Sequence, residues 1–365
     1  MTTWTLGQLA HAAGGTCLGD PSIPIAAVST DTRVPLTGHL FVALSGPRFD
    51  GHDHLAGAKD GGAAAAMVRC GTKAVDGLGL IAVEDPLAAL GTLASWWRRQ
   101  LTDTRVIAIT GTAGKTTTKD LLAGICQTCM RTVASPRSFN NDIGVPLTIL
   151  SARKDDEVLI AEVGINEVGE MAPLADMVQP DAVIVTLVGH GHLAGLDTLA
   201  TVATEKYRLV QSVQRGGHAW VLRQDIPLPA CDASIHTFGE DPMADLVLEQ
   251  WGPNWFHYDQ RRWPLGLLGR AASLDALSAV AAARWLGVTD ACIEAGLSAA
   301  TPSSQRMQLR SSHGVEIIDD TWNANPDSMA SSLETFANMP STGTRWLVLG
   351  DMLELGGDSH RQHRL

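Results

Sequence analysis

Residues 106–118 read Val-Ile-Ala-Ile-Thr-Gly-Thr-Ala-Gly-Lys-Thr-Thr-Thr and have the composition of a phosphate-binding loop. The apolar run Val106–Ile109 predicts a buried strand, and the threonines after Lys115 predict a helix start. Lys115 would reach the β- and γ-phosphates, and the Thr116 hydroxyl would hold Mg²⁺. Backbone N–H groups at such a turn favour an anion. The residues expected to cradle the nucleotide are Thr110, Gly111, Thr112, Gly114 and Thr117.

The loop is a compact variant of the general P-loop pattern. Ile109 stands where that pattern has its first glycine. A glycine-rich turn that binds nothing is the alternative interpretation. The order of strand, loop, lysine and hydroxyls favours nucleoside triphosphate chemistry.

Composition limits the possible classes of protein. A chain of 365 residues with 45% hydrophobic residues and 36 glycines fits an α/β protein of two or three domains. The net charge of −12 argues against a broad nucleic-acid surface. We expect no membrane insertion and no signal peptide, because no apolar run approaches the ~20 residues of a membrane span.

Six scattered cysteines suit a reducing cytosol, so a cytoplasmic location is expected. Cys126 and Cys129 have the Cys-x-x-Cys spacing, but no second pair follows at zinc spacing. A structural position on the helix after the loop is therefore favoured over a metal or redox site.

The order of predicted elements favours an α/β fold with a parallel, doubly wound sheet. Residues 1–83 form short units, with a helix at Leu6–Ala13 and strands at Ile25–Val28, Leu40–Leu44, Ala63–Val68 and Leu80–Val83. Residues 84–306 alternate helices and strands at Pro86–Gln100, Val158–Val163, Glu170–Met177, Ala182–Val188 and Leu199–Val213, followed by strands and turns over 217–265 and a helix at Ser273–Leu286.

A third unit covers 307–365. It predicts a strand at Val315–Asp319, a helix at Asp327–Ala337 and a second strand at Arg345–Leu349. This length is short for an ordinary α/β domain.

Six segments together resemble the Mur ligases of peptidoglycan synthesis. They are the P-loop and residues 30–33, 41–53, 140–148, 319–326 and 350–356. The resemblance covers about residues 5–363. It implies a three-domain architecture with a UDP-sugar-peptide domain (1–83), a central ATP-binding P-loop sheet (84–306) and a truncated Rossmann-like C-terminal domain (307–365).

The resemblance also implies an activity. This is ATP-dependent amide formation through an acyl phosphate, joining D-alanyl-D-alanine to UDP-N-acetylmuramoyl-tripeptide, by a monomer that uses ATP and two Mg²⁺ ions. Two alternatives stay open. One is a degenerate, non-catalytic binder of the UDP-sugar peptide, and the other is a related amide ligase with a different acceptor.

The metal ligands are implied by the same resemblance. Glu162 would hold Mg²⁺ together with Thr116, and His192 would hold a second ion, with His190 as a competing candidate. Lys206 aligns with a carbamylated lysine, whose anionic oxygens suit a hard cation. From the sequence alone, Glu162 could be an exposed strand-end carboxylate, His192 a solvated loop residue, and Lys206 a surface lysine.

Other roles follow from the family pattern. Asn140 and Asn141 would place phosphate and substrate, although an asparagine-rich turn is the alternative. The third domain would reach ATP with Arg306, Asn323 and Asn325, whereas Asp319 and Asp320 could be strand-end residues. The candidates for the UDP-sugar end are Thr30, Asp31, Arg33, Arg48, Asp50 and His52.

One segment departs from the family pattern. Ala271, Ala272 and Asp275 replace a histidine and two asparagines that help to hold adenine in the family. An ionised Asp275 accepts hydrogen bonds only, so it could accept from an adenine amino group. We therefore expect a weakened or altered nucleotide preference. This segment and the short third domain favour the non-catalytic alternative, whereas the intact Lys115, Thr116, Glu162, His192 and Lys206 argue against it.

Overall fold

The computed structural model describes residues 4–189, 193–196, 198–341, 343–353, 355 and 359–364. Its N-terminal part contains, in chain order, β1 (Trp4–Thr5), α1 (Leu6–Ala12), β2 (Thr16–Leu18), β3 (Pro24–Ile25), β4 (Ala27–Ser29), β5 (His39–Val42), β6 (Ser45–Gly46), β7 (Phe49–Asp50), a 3₁₀ turn (Gly51–His54), α2 (Leu55–Asp60), β8 (Ala65–Arg69) and β9 (Gly79–Val83).

A five-stranded sheet organises this N-terminal part. Its strand order is β2-β9-β8-β5-β4, and β4, β5, β8 and β9 run parallel while β2 is antiparallel. Parallel strands place their carboxyl ends on one edge, where α/β sheets bind ligands. The loops after β4, β5 and β8 therefore meet at that edge.

The central part follows from Pro86. Its elements are α3 (Pro86–Arg98), β10 (Arg105–Thr110), α4 (Lys115–Gln127), β11 (Thr132–Ala134), α5 (Gly144–Ser151), β12 (Val158–Glu162), α6 (Met171–Val178), β13 (Ala182–Val185), α7 (Leu193–Leu196), α8 (Leu199–Gln211), β14 (His218–Leu222), β15 (Ser234–Gly239), β16 (Leu246–Val247), β17 (Gln250–Gly252), β18 (Trp255–Tyr258), β19 (Arg261–Pro264), α9 (Gly269–Trp285) and α10 (Asp290–Ala299).

The central sheet has seven strands in the order β11-β12-β10-β13-β14-β15-β16, and every neighbouring pair is parallel. Strands β11 and β12 lie on one side of β10 and strands β13 to β16 on the other, so the end of β10 is a switch point where such sheets bind ligands. The predicted doubly wound parallel sheet is thereby confirmed. Helix α9 begins at Gly269 rather than at the expected Ser273.

Helices cover both faces of this sheet. Alternate residues of β10 point to opposite sides, so Val106 and Ala108 pack in one hydrophobic cluster while Ile107 and Ile109 pack in another. The second cluster includes residues of α4, α9 and α10. Burial on both faces explains why these strands are continuous apolar runs.

The N-terminal and central parts share one core. The cluster that contains Val106 also contains Trp4, Leu40 and Met67 of the N-terminal part. Trp97 of α3 lies edge-on to Trp4, with ring centroids 4.9 Å apart, and its indole N–H donates to the carbonyl of Ala152 at 2.9 Å. Helix α3 therefore joins the two sheets through buried apolar contact.

The C-terminal part contains β20 (Gln308–Ser312), β21 (Val315–Asp319), α11 (Pro326–Asn338) and α12 (Ser359–Gln362). Strands β20 and β21 form an antiparallel hairpin. Helix α11 begins at Pro326 because Asn325 accepts from the backbone N–H of Ser328 at 2.9 Å and the Ser328 hydroxyl accepts in return from the Asn325 N–H.

The strand expected at Arg345–Leu349 is wrong. No β-structure is present at 345–349, and Trp346 and Val348 are 81% and 97% exposed. A strand needs a neighbour for its backbone N–H and C=O groups. Strands β20 and β21 pair with each other, and the described residues supply no other partner for this segment.

Candidate functional site

The P-loop is a tight turn between β10 and α4. Gly111 and Gly114 have φ of 153° and 86°, in the region that favours glycine. A Cβ on Gly111 would collide with the Thr186 hydroxyl, and one on Gly114 would collide with the Asp275 carboxyl. Both glycines are therefore required by the close approach of neighbouring side chains as well as by the backbone angle.

Two lysines converge on this loop. Lys115 donates to the carbonyls of Gly111 at 2.8 Å and Thr112 at 3.3 Å. Lys206 donates to the same Gly111 carbonyl at 3.0 Å. Two lysine side chains therefore meet at one carbonyl of the phosphate-binding loop.

Lys206 is buried, with 2% of its surface exposed, so its interpretation as a surface lysine is wrong. Desolvation lowers the pKa of Lys206 well below its ordinary value, and the neighbouring Lys115 charge lowers it further. Desolvation also lowers the pKa of Lys115, while the Glu162 carboxylate acts in the opposite direction. Burial and the Lys115 charge thus both act against the charged form of Lys206.

An oxygen-rich cluster lies beside the loop. Glu162 is 1% exposed at the end of β12, so it is not an exposed strand-end carboxylate. Its carboxylate accepts from the Thr116 hydroxyl at 2.9 Å and from the Asn140 amide at 2.8 Å. The Ser138 hydroxyl lies 3.5 Å from the Thr116 hydroxyl. Carboxylate, hydroxyl and amide oxygens are the donors that a hard divalent cation prefers.

The two asparagines have different environments. Asn140 reaches Glu162, as described above, whereas the side-chain amide oxygen of Asn141 accepts from the N–H groups of Ile143 at 3.3 Å and Gly144 at 2.9 Å. Asn141 therefore forms the turn that starts α5, which is the alternative that the sequence left open.

His190 and His192 lie outside the described residues. Within the described ranges, no group of three or more His, Cys, Asp or Glu side chains surrounds a point where a metal ion could sit. Of the residues proposed to hold metal ions, the structure thus brings Thr116, Glu162 and Lys206 together at the P-loop.

A cavity of about 1300 Å³ opens from the P-loop toward the C-terminal part. Its lining includes Thr117, Ala271 and Ala272 and, from the C-terminal side, Arg306, Asn323 and Asn325. The Arg306 guanidinium lies 5.3 Å from the Trp322 ring centroid. The third-domain residues proposed for ATP therefore border the same cavity as the P-loop.

The remaining predicted residues of the nucleotide site lie in the P-loop or in the C-terminal part. Thr110 is fully buried at the end of β10. The Thr112 hydroxyl exchanges hydrogen bonds with Gly189, accepting from its N–H at 3.0 Å and donating to its carbonyl at 3.3 Å. Asp319 accepts from the Thr321 hydroxyl at 2.7 Å, and Asp320 accepts from the Met307 N–H at 3.0 Å. These two aspartates therefore stabilise the C-terminal part through local hydrogen bonds.

Asp275 lies against the P-loop. It is 9% exposed, and its carboxyl lies at Gly114. Desolvation raises the pKa of Asp275 to about 8, although nearby Thr118 and Arg306 act in the opposite direction. The carboxyl is therefore mostly protonated at neutral pH, and its proton adds donor capacity that an ionised aspartate lacks.

The second candidate region is the carboxyl edge of the N-terminal sheet. Arg33 donates to both carboxylate oxygens of Asp31, each at 2.8 Å, and these hydrogen bonds lower the pKa of Asp31 to about 2. The Arg33 side chain is 88% exposed. Thr30 is half-buried beside this pair, and Arg48 is exposed.

Asp50 and His52 form a pair at the same edge. The Arg69 backbone N–H donates to His52 Nε2 at 3.0 Å, so Nδ1 carries the ring proton and donates to Asp50 at 2.6 Å. The hydroxyl of Ser45 also donates to Asp50 at 2.8 Å, and Arg69 donates to that hydroxyl at 3.2 Å. These hydrogen bonds hold the pKa of Asp50 well below its usual range.

The sequence missed several residues of both regions. Ser45 and Arg69 belong to the N-terminal edge, and Ser135 and Ser138 belong to the central site. Ser138 and Ser45 lie within a few positions of predicted site residues. Their hydroxyl groups next to these motifs could have identified them as candidates. Arg69 follows an apolar run without any motif and could be found only from the sheet order.

Comparison with known proteins decides the family. Two family models match, the Mur ligase middle domain over residues 109–283 and the Mur ligase, glutamate ligase domain over residues 305–364. The UDP-N-acetylmuramoyl-tripeptide–D-alanyl-D-alanine ligase of Bacillus subtilis is 31% identical over 99% of this chain and 81% of its own length. The chain belongs to the Mur ligase family.

Solved Mur ligases agree with this assignment. MurF from Acinetobacter baumannii superposes with a TM-score of 0.87 at 30% identity, over 100% of this chain and 82% of that one. MurF from Thermotoga maritima in complex with ADP superposes with a TM-score of 0.80 at 27% identity, over 93% and 80% of the two chains. The expected Mur ligase architecture and an ATP-dependent ligase function in peptidoglycan precursor synthesis are confirmed.

Among the described residues, no helix is both long enough and apolar enough to cross a bilayer.

Proposed function

We propose that this Mur ligase joins D-alanyl-D-alanine to UDP-N-acetylmuramoyl-tripeptide and hydrolyses ATP to ADP and phosphate. The observation that carries the proposal is the convergence of Lys115, Lys206 and the Thr116–Glu162 pair on one P-loop that borders the large cavity. The relatives named above, which carry this activity in their names, support it.

The residues of the loop would act mainly by positioning and by charge neutralisation. The tripeptide carboxylate attacks the γ-phosphate of ATP and gives an acyl phosphate and ADP. The amine of the dipeptide then displaces phosphate. Lys115 would leave the carbonyls of Gly111 and Thr112 for phosphate oxygens, while the backbone N–H groups at the start of α4 bind the same phosphates.

Mg²⁺ fits the donor set of the site. Thr116 and Glu162 would hold one ion, and His192 with a carbamylated Lys206 would hold a second. When bound, these ions neutralise phosphate charge and orient the transferred group. The amide of Asn140 fixes one oxygen of Glu162, so that the other oxygen keeps its direction.

Carbamylation of Lys206 is part of the proposal. Only a neutral amine attacks CO₂, and burial next to Lys115 favours that form of Lys206. Loss of activity in Lys206→Ala, with recovery on adding a short-chain carboxylic acid, would support a carbamate. A fully active Lys206→Ala would rule it out.

We also propose a division of labour among three domains. Residues 1–83 bind the UDP-sugar end through Thr30, Asp31, Arg33, Arg48, Asp50 and His52. Residues 84–306 bind ATP. Residues 307–365 close on the nucleotide with Asn323 and Asn325, and Arg306 joins them from the end of the central domain. We propose a location in the cytosol, because the six cysteines are free thiols, which suit a reducing compartment. We also propose that the protein acts as a monomer.

The test is phosphate release from Mg·ATP by the purified chain with UDP-N-acetylmuramoyl-tripeptide, with and without D-alanyl-D-alanine. We expect release that depends on the dipeptide, together with the pentapeptide product by mass spectrometry. Release with another amine alone would indicate a different acceptor. If no phosphate is released while the UDP-sugar peptide still binds in a titration, the chain is a binder and not a ligase.

A further inference from the structure

Lys119 is a buried lysine that the chemistry above does not use. It lies one helical turn beyond Lys115 on α4 and is 2% exposed. Its ammonium group donates to the carbonyls of Ser135 at 2.9 Å and Arg137 at 2.8 Å, and it lies 2.7 Å from a carboxylate oxygen of Asp120. All three N–H groups of the ammonium therefore have acceptors.

The segment held by Lys119 supports the oxygen-rich cluster. The Ser135 hydroxyl accepts from the backbone N–H of Glu162 at 2.9 Å. Ser138, three residues further on, contacts the Thr116 hydroxyl. Arg137 between them has φ of 51°, an uncommon conformation for a residue other than glycine. The carbonyl bonds to Lys119 hold this unusual turn in place.

Asp120 extends the connection toward the C-terminal part. Its second carboxylate oxygen accepts from the Ser303 hydroxyl at 2.6 Å. Ser303 belongs to the linker between α10 and β20, and its carbonyl accepts from the backbone N–H of Arg306 at 3.1 Å. The linker that carries Arg306 is thus fixed to the same helix that begins at the P-loop.

We propose that Lys119 and Asp120 are positioning residues that couple the Thr116–Glu162 cluster to the Arg306 linker. The two side chains are adjacent in sequence, contact each other and reach opposite sides: Lys119 holds residues 135–137 and Asp120 holds Ser303. A shift of the linker that carries Ser303 therefore changes the position of residues 135–137, which lie beside the metal-binding cluster. This inference rests on the proposed function for its effect on turnover, but its effect on nucleotide binding does not.

The test uses Lys119→Met, Asp120→Asn, Ser303→Ala and the double variant Lys119→Met/Ser303→Ala. Affinity for ADP is measured by calorimetry over a series of Mg²⁺ concentrations, and kcat and KM are measured in the ligase assay. We expect Ser303→Ala to lower kcat about tenfold with little change in the KM for ATP, because Arg306 loses its fixed position. Lys119→Met should raise the Mg²⁺ concentration needed for ADP binding by about tenfold.

Coupling is tested by the double variant. Its change in Mg²⁺-dependent ADP affinity should differ from the product of the single changes by about threefold or more. Lys73→Met and Asp103→Asn, which lie at exposed positions, serve as matched controls and should behave like the wild type. Ser303→Thr keeps the hydroxyl and should restore kcat.

Three results would overturn the proposal. One is independent effects in the double variant, another is unchanged Mg²⁺ dependence in folded Lys119→Met, and a third is unchanged kcat in Ser303→Ala. If Lys119→Met does not fold, Ser303→Ala and Asp120→Asn decide alone, since both positions are partly exposed. Because ADP binding needs no acceptor substrate, failure of the ligase reaction would leave the calorimetric result intact.

Discussion

The two candidate regions of this Mur ligase lie at the carboxyl edges of parallel sheets, yet they are built differently. At the central edge, the residues that meet are distant in sequence, such as Lys206 and Gly111, which are separated by 95 positions, and most of them are buried. At the N-terminal edge, the hydrogen-bonded pairs Asp31–Arg33 and Asp50–His52 are two positions apart, and each has at least one partly or largely exposed side chain.

This difference indicates which contacts determine catalysis and stability and which contacts determine ligand binding. A buried, long-range network makes nucleotide chemistry depend on the whole central fold, and its polar groups are costly to leave without partners. Short-range exposed pairs contribute little to folding and remain free to exchange partners for a ligand. Substitutions at the central edge should therefore impair catalysis or stability, while those at the N-terminal edge should affect only ligand binding.

The largest effect is expected at Lys115. Lys115→Met removes the cation that neutralises the transferred phosphate, so kcat should fall by about 10²–10³-fold in the phosphate-release assay. Lys73→Met, an exposed lysine of the N-terminal part, is the control and should be fully active. Turnover near the wild-type rate in Lys115→Met would remove the distinction between the two edges.

The neighbouring asparagines sharpen the comparison within the central edge. Asn140→Ala frees an oxygen of Glu162, so the Mg²⁺ concentration for half-maximal activity should rise by about 10–100-fold. Asn141→Ala removes the turn before α5 and should cost about 1 kcal/mol of stability without changing the Mg²⁺ requirement. Equal Mg²⁺ requirements in both variants would contradict the separate roles.

Asp275 gives a pH-dependent test of burial. The pKa of Asp275 is about 8 in the folded protein against 3.8 for a free aspartate, so the folded state keeps a proton that the unfolded state releases between these values. Stability from this group therefore falls as pH rises from about 4 to about 8. Asp275→Asn should stabilise the protein by about 1–3 kcal/mol at pH 8.5 and by much less at pH 4.5.

Thermal unfolding at both pH values measures this difference. Asn has nearly the shape of Asp and fits beside Gly114. A gain that is the same at pH 4.5 and pH 8.5 would show that the carboxyl is not desolvated in the folded state.

The smallest effect is expected at Arg33. Arg33→Ala should leave the melting temperature unchanged, since the guanidinium is exposed and its partner is local. Affinity for the UDP-sugar peptide, measured by titration, should fall by about threefold to tenfold. A lower melting temperature with unchanged affinity would reverse the roles assigned to the two edges.

The sequence allowed much of the fold to be predicted. Apolar runs identified β10, β12 and β13, and their order indicated the parallel sheet. The P-loop was evident because its residues are contiguous. The strand predicted at 345–349 was wrong because an apolar run indicates strand propensity but does not show whether a neighbouring strand is present to pair with it.

The rest of the site depends on contacts that no local pattern contains. Lys206 lies on a helix whose sequence resembles any amphipathic surface helix, and only the packing of α8 beside β13 and β10 brings its ammonium to Gly111. The role of Lys119 could not be predicted either, because only the fold brings the carbonyls of Ser135 and Arg137 to its ammonium group. The possible contact of Asp275 with adenine stays a prediction, whereas its burial against Gly114 could not be predicted because it follows from how α9 packs on α4.

The contact of Trp97 with Trp4 has a consequence for how the molecule melts. Because the N-terminal and central sheets share one hydrophobic cluster, opening either sheet exposes apolar surface of the other. The two sheets and the helices packed on them should then lose structure in a single calorimetric transition whose enthalpy matches both sheets together. The hairpin β20–β21 and α11, which pack mainly through the linker and α9, would melt separately at a lower temperature.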